Sequence, residues 1–117
     1  EGKTTTVANL AITYANLGKK TLLIDADLRK PVIHKVFDLE KDRGLTKCIV
    51  SDLSYKDIIQ TSQIENLSLI SSGINPPNPS ELLNSHKMKD LIDSLKTDFD
   101  IILIDTPPII ISVILYL

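Results

Sequence analysis

Among 117 residues there is a single cysteine, no tryptophan and only four glycines. The lone Cys48 can form neither an intramolecular disulfide nor a zinc cage, and His34 and His86 stand far apart outside any ligand motif. Such sparse cysteine use fits a reducing cytoplasm. Gly2, Gly18, Gly44 and Gly73 cannot spell G-x-G-x-x-G, which removes a dinucleotide site, and no G-x-S-x-G elbow is present. Charge of one sign is also scarce. Thirteen Lys and Arg face 15 Asp and Glu for a net −2, and Lys19-Lys20 and Arg29-Lys30 are only pairs, so no nucleic-acid footprint is expected. Asp100, Asp105, Pro107 and Pro108 interrupt the apolar C-terminal stretch, whose uninterrupted tail falls well short of the roughly 20 residues of a membrane span. No signal peptide is read either.

What remains is a composition that buries a core: 43% apolar and 24% charged residues with a mean hydropathy of +0.09. The length allows one domain, without internal repeat or linker. Val7, Leu10, Ala11 and Tyr14 recur at helical spacing ahead of Gly18, a natural helix stop. Thr21–Ile24, Leu67–Ile70 and Ile101–Ile104 are short apolar runs of the kind buried on both faces of a parallel sheet. Helices are expected over Pro31–Phe37, Leu45–Val50 and Tyr55–Gln60, the last opened by a Ser54-x-x-Asp57 cap signal. Another begins at Asn78-Pro79-Ser80-Glu81, read as N-cap, N1 and N3, and Met88, Leu91, Ile92 and Leu95 repeat the apolar stripe beyond it. The expected fold class is α/β, a mostly parallel sheet with helices on both faces. It reads as incomplete, because the chain opens on Glu1, a strand that should feed the first helix is missing, and Ile109–Leu117 runs without a polar turn. On that reading an unpaired sheet edge and an exposed apolar tail give poor autonomous folding.

Three stretches carry chemistry. Gly2-Lys3-Thr4 before a helix matches the end of G-x-x-x-x-G-K-[ST], where backbone N–H groups and the helix dipole hold phosphates; alone, it equally describes solvated surface. Asp25 and Asp27, with Arg29, follow a buried strand at the edge where open parallel sheets bind ligands, although one such aspartate would commonly just cap a turn. Asp105 ends another apolar strand in a Walker B arrangement. Their chain order points to ATP and Mg2+, since Mg2+ prefers oxygen ligands and shares its shell among carboxylates, a hydroxyl, phosphates and water. Cys48, in Lys47-Cys48-Ile49-Val50, reads as a buried structural thiol.

Glu1–Thr5, Leu22–Pro31, Pro76–Leu83 and Ile101–Pro108 together resemble the bacterial tyrosine kinases of capsular and exopolysaccharide biosynthesis, relatives of the MinD and ParA P-loop ATPases. The resemblance runs over 1–108, a partial P-loop kinase domain, and leaves 109–117 as a divergent apolar tail. It implies an ATP-dependent protein-tyrosine kinase in which Gly2, Lys3, Thr4 and Thr5 bind nucleotide and Lys3, Asp25 and Asp27 are catalytic. Thr4, Asp25, Asp27 and Asp105 would hold Mg2+, with Arg29 in support. Either Asp25 or Asp27 would accept the tyrosine proton. The resemblance also implies protein tyrosine substrates, homo-oligomers, and a cytoplasmic enzyme held at the inner membrane face by an adaptor. The family's tyrosine cluster is missing; Tyr14 and Tyr55 read as structural, and Tyr116 is not read as a phosphosite. A MinD- or ParA-like positioning ATPase and a non-catalytic remnant are the alternatives, and the isolated 117-residue piece is expected to be inactive.

Overall fold

The computed structural model describes residues 2–28, 31–51, 53–106 and 110–115, with only the backbone described for 2–5 and 110–115. Helix α1 (Gly2–Asn16) leads through a short turn to strand β1 (Thr21–Asp25). Then come α2 (Ile33–Val36), α3 (Leu45–Ser51), a 3-10 turn at Tyr55–Asp57, β2 (Gln60–Thr61) and β3 (Leu67–Ile70). The chain continues through α4 (Pro79–Leu83), α5 (His86–Leu95), β4 (Ile101–Thr106) and β5 (Ile110–Leu115). The strands form one sheet in the order β2-β3-β1-β4-β5.

Central β1 pairs in parallel with β3, from Thr21↔Leu67 to Ile24↔Ile70, and with β4, from Thr21↔Ile101 to Asp25↔Asp105. All five of its residues are buried, which is why the run is apolar without alternation. Successive side chains nevertheless point to opposite faces. Leu22, Ile24, Ile102 and Ile104 pack with Leu45 and Ile49 of α3 and Leu91 and Leu95 of α5. On the other face Leu23, Leu69 and Leu103 meet Val7, Ala11 and Ala15 of α1, whose small residues let the helix approach the sheet closely. Gly18 closes α1 at φ +85°, and the Lys19 N–H returns to the Tyr14 carbonyl at 3.2 Å.

Four expectations change. The helix expected over Tyr55–Gln60 is a single 3-10 turn, and Gln60 belongs instead to a strand too short to leave a periodic signal. The helix expected over Pro31–Phe37 is only Ile33–Val36, ended by Asp38 at φ 56°. Asn78, Pro79 and Glu81 do take the N-cap, N1 and N3 positions of α4, but the Asn78 side chain makes no cap bond; its Nδ2 donates to Glu81 Oε2 at 3.2 Å, and Ser85 opens a separate α5 by accepting the Met88 N–H at 3.2 Å. Finally, the apolar tail supplies β5, antiparallel to β4 from Thr106↔Ile110 to Ile101↔Leu115. The edge of β4 expected to be unpaired is therefore covered by the chain's own next segment.

Sequence reasoning also missed a polar bracket. Gln60 Nε2 donates to the Glu40 carbonyl at 2.9 Å, its Oε1 accepts the Glu40 N–H at 3.1 Å, and buried Ser71 Oγ donates to the Glu40 carbonyl at 2.8 Å. The bracket fastens the loop before α3 to the end of β3. There Gly44 bridges Ser71, and a Cβ on Gly44 would lie 2.3 Å from the Ser71 carbonyl oxygen. Gly44→Ala is expected to cost about 2–3 kcal/mol through backbone displacement. Gly18→Ala, where nothing lies within 4 Å of the added Cβ, should cost only the left-handed backbone term, about 1 kcal/mol. Urea melts of both variants against the parent check the order.

Candidate active site

The short turn from Asn16 to Thr21 makes α1 run back along the sheet, so its Gly2 end lies toward the carboxyl ends of β1 and β4. Ligands of open parallel sheets bind at that edge, and a helix N-terminus there presents N–H groups and positive dipole. The structure places Gly2, Lys3, Thr4 and Thr5 in the first turns of α1; their side chains lie outside the described residues, as does Arg29.

Parallel pairing brings Asp25 and Asp105 together as register partners at the ends of adjacent strands, both at 0% exposure. Neighbouring strands are about 4.8 Å apart, so two carboxylates share one small buried region. The alternation that sends Leu23 and Leu103 toward α1 sends Asp25 and Asp105 to the same face. Asp25 is held firmly: its Oδ1 accepts the Asp27 N–H at 3.1 Å and its Oδ2 the Ile33 N–H at 3.2 Å. The segment after β1 therefore folds around this carboxylate and leaves half-buried Asp27 beside it. The strands are tied just beyond by the Ala26 N–H donating to the Asp105 carbonyl at 2.9 Å.

Burial pushes the Asp25 carboxyl up to about 6; the Asp27 and Ile33 N–H groups pull it down, and the charges of Asp105 and Asp27 push it up again. Burial and the neighbouring carboxylates thus both oppose ionisation of Asp25. A hard divalent cation fits this donor set, since all of it is carboxylate oxygen and cationic charge would offset both the desolvation and the repulsion. Among the described residues no group of three or more His, Cys, Asp or Glu forms a metal cage. Asp25, Asp27 and Asp105 thus make no cage by themselves, and a cation held there would need a hydroxyl, phosphates or water to complete its shell.

The other candidates fall into structural roles. Cys48 is buried and its thiol donates to the Leu53 carbonyl at 3.1 Å. Tyr14 packs against the α1-side core, and Tyr55 donates its hydroxyl to the Asp98 carboxylate. Tyr116 lies outside the described residues.

A carboxyl raised in the folded state binds its proton more tightly there than in the unfolded chain. Its contribution to stability is complete below about pH 4 and is lost as pH rises through about 6. Without Mg2+, stability should fall by roughly 2–4 kcal/mol across that window. Asp25→Asn should remove most of the slope. Urea midpoints at pH 4, 5, 6 and 7 measure it, and an unchanged slope in the variant would assign it elsewhere.

The sequence matches the family described as AAA domain over residues 1–116. A putative tyrosine-protein kinase, CapB of Staphylococcus aureus, is 46% identical over 108 residues, covering 92% of this chain and 47% of the relative. Among solved structures, the chimerical protein CapA2B2 superposes with a TM-score of 0.89 at 44% identity, over 92% of this chain and 48% of that one. The septum site-determining protein MinD from Pyrococcus horikoshii, solved with Mg-ADP, gives 0.75 at 31% identity, over 91% and 44%. The chain thus spans about half the length of these proteins. The chain belongs to the AAA-domain family, and it is similar in sequence and fold to bacterial proteins named tyrosine kinases and to MinD.

Proposed function

We propose that this chain carries the nucleotide and Mg2+ apparatus of an ATP-dependent protein-tyrosine kinase, one that phosphorylates itself and regulates capsular or exopolysaccharide biosynthesis. The observation that carries the reading is the register of Asp25 against Asp105 at the carboxyl edge, on the face covered by α1. Gly2, Lys3, Thr4 and Thr5 would cradle the phosphates, with Lys3 on the terminal ones. Thr4, Asp25, Asp27 and Asp105 would hold the cation. When bound, Mg2+ neutralises charge on the phosphates as the γ-phosphoryl group moves.

The chain's own groups do the rest. The tyrosine oxygen bonds to the γ-phosphorus, the bond to ADP breaks, and the phenolic proton must leave. A carboxylate cannot ionise a phenol of pKa about 10 in advance, so the proton moves late, as the O–P bond forms. Asp25, whose orientation two backbone N–H groups fix, and Asp27 beside it are the two carboxylates placed to accept that proton.

Among the described residues no helix is long and apolar enough to cross a membrane. A cytoplasmic enzyme tethered to the inner membrane face by an adaptor, and assembled as a homo-oligomer, belongs to the same proposal. It draws on the chain's similarity to tyrosine kinases.

Binding of a fluorescent ATP analogue by the chain, with and without Mg2+, is the first test. Lys3→Ala and Asp105→Asn are each expected to weaken Mg2+-dependent binding about tenfold or more. Binding that ignores Mg2+ and both substitutions would overturn the nucleotide reading. Phosphotyrosine on an added tyrosyl copolymer then separates the reactions: Asp25→Asn should lower its formation about a hundredfold. Phosphate release without phosphotyrosine would favour a MinD-type ATPase.

A further inference from the structure

The sheet ends on one side at β5, and among the described residues no strand pairs with its outer edge. Along Ile110–Leu115 every residue carries a backbone N–H, and none is charged. Alternate residues of an edge strand turn their N–H and C=O groups away from the sheet, so β5 presents donors and acceptors over its whole length. Water satisfies such groups, but a second strand of the same kind satisfies them while also removing apolar surface from water. The devices that normally blunt an edge, a charge, a proline or a very short strand, are absent from β5.

The opposite edge of the sheet does not supply a matching surface. β2 has two residues, Gln60 and Thr61, and the Gln60 side chain is committed to the Glu40 and Arg43 carbonyls. A contact from β5 of one copy to β2 of the next would be short, and copies joined that way would add head to tail rather than pair off. A contact of β5 with β5 closes on itself. The two identical strands meet antiparallel about a twofold axis normal to the sheet, and residues opposite one another then share a face. Greatest overlap centres on Ser112, with Ile111 opposite Val113 and Ile110 opposite Ile114, or on Val113, with Ser112 opposite Ile114 and Ile111 opposite Leu115. Neither register sets like charges together, and a net charge of −2 per chain leaves little long-range repulsion. β5 likewise holds no charge by which to select a charged peptide. The axis reverses strand direction in the second copy, so the two carboxyl edges with Asp25 and Asp105 lie at opposite ends of the joined sheet and neither covers the other.

We infer that β5 is the contact between two copies of this chain, paired antiparallel, β5 against β5, into one continuous sheet. The inference rests on strand order and on the composition of β5, and it does not need the kinase reading.

Sedimentation equilibrium of the 117-residue chain between about 1 and 100 µM is expected to show monomer and dimer and no larger species. Ser112→Lys and Val113→Lys each set two lysines close to the axis and should raise the dimer dissociation constant about tenfold or more, with circular dichroism unchanged. Lys89→Glu, at an exposed position of α5, should leave it unchanged. Because a lysine in β5 also sits beside β4, cysteine variants give a second measure. In a Cys48→Ser chain, Ser112→Cys or Val113→Cys should form an intermolecular disulfide at least about tenfold faster than Thr61→Cys at an exposed position of β2. Where a lysine variant loses its circular dichroism signal, the disulfide rates alone decide. A chain that stays monomeric throughout, a dimer that both folded lysine variants leave intact, open-ended growth, or equal crosslinking through Thr61→Cys would each overturn the inference.

Discussion

Two carboxylates buried opposite each other on adjacent parallel strands constrain the rest of this molecule. Asp25 and Asp105 meet because Leu22, Leu23 and Ile24 pair with Ile102, Leu103 and Ile104 in the same ladder. Shifting one strand by a residue would turn each of its side chains to the opposite face and separate the carboxylates. The core that stabilises the fold thus also sets the geometry of the site. Both faces must be covered for such a register to hold, and α1 on one side with α3 and α5 on the other supply that cover.

The cost of this arrangement is electrostatic. Asp25 loses solvation and faces Asp105, and two backbone N–H groups only partly compensate, which leaves its carboxyl raised. The folded chain alone therefore disfavours the charge state that a metal site needs. A cation bound only in the native state would reverse the balance and contribute its binding free energy to folding. Strain of this kind is tolerated because the surrounding β1, β3 and β4 side chains are almost completely buried and cannot rearrange cheaply.

Much of this was legible because long apolar periodicities and buried strands leave strong marks. The three parallel strands, α1 and α5, and the aspartates at two strand ends all follow from runs such as Thr21–Asp25 and Ile101–Asp105. Their register does not, since every four-residue apolar run looks alike; only the structure sets Asp25 against Asp105. β2 has two residues; it pairs antiparallel with β3, and the Gln60 side chain ties it to loop carbonyls distant in sequence. No local pattern announces a contact of that kind. Asn78 shows the converse: a cap residue read at the right position can still turn its side chain to a neighbour, here Glu81, and leave the helix N–H groups without it.

The switch from parallel to antiparallel pairing at β4 follows from chain length. Only residues 107–109 separate β4 from β5, and a parallel neighbour requires a crossover of about a dozen residues, so the strand that follows can only fold back. Folding back also satisfies the backbone of β4, which would otherwise be left open beside the most buried part of the sheet. The two ends of the sheet then differ in kind. β2 is short and polar, a blunt edge, whereas β5 offers six residues without a charge or proline. Natural sheets usually guard an edge like the second with charges, bulges or covering elements. The same apolar run that pairs with β4 is therefore, among the described strands, the one most disposed to pair with another strand.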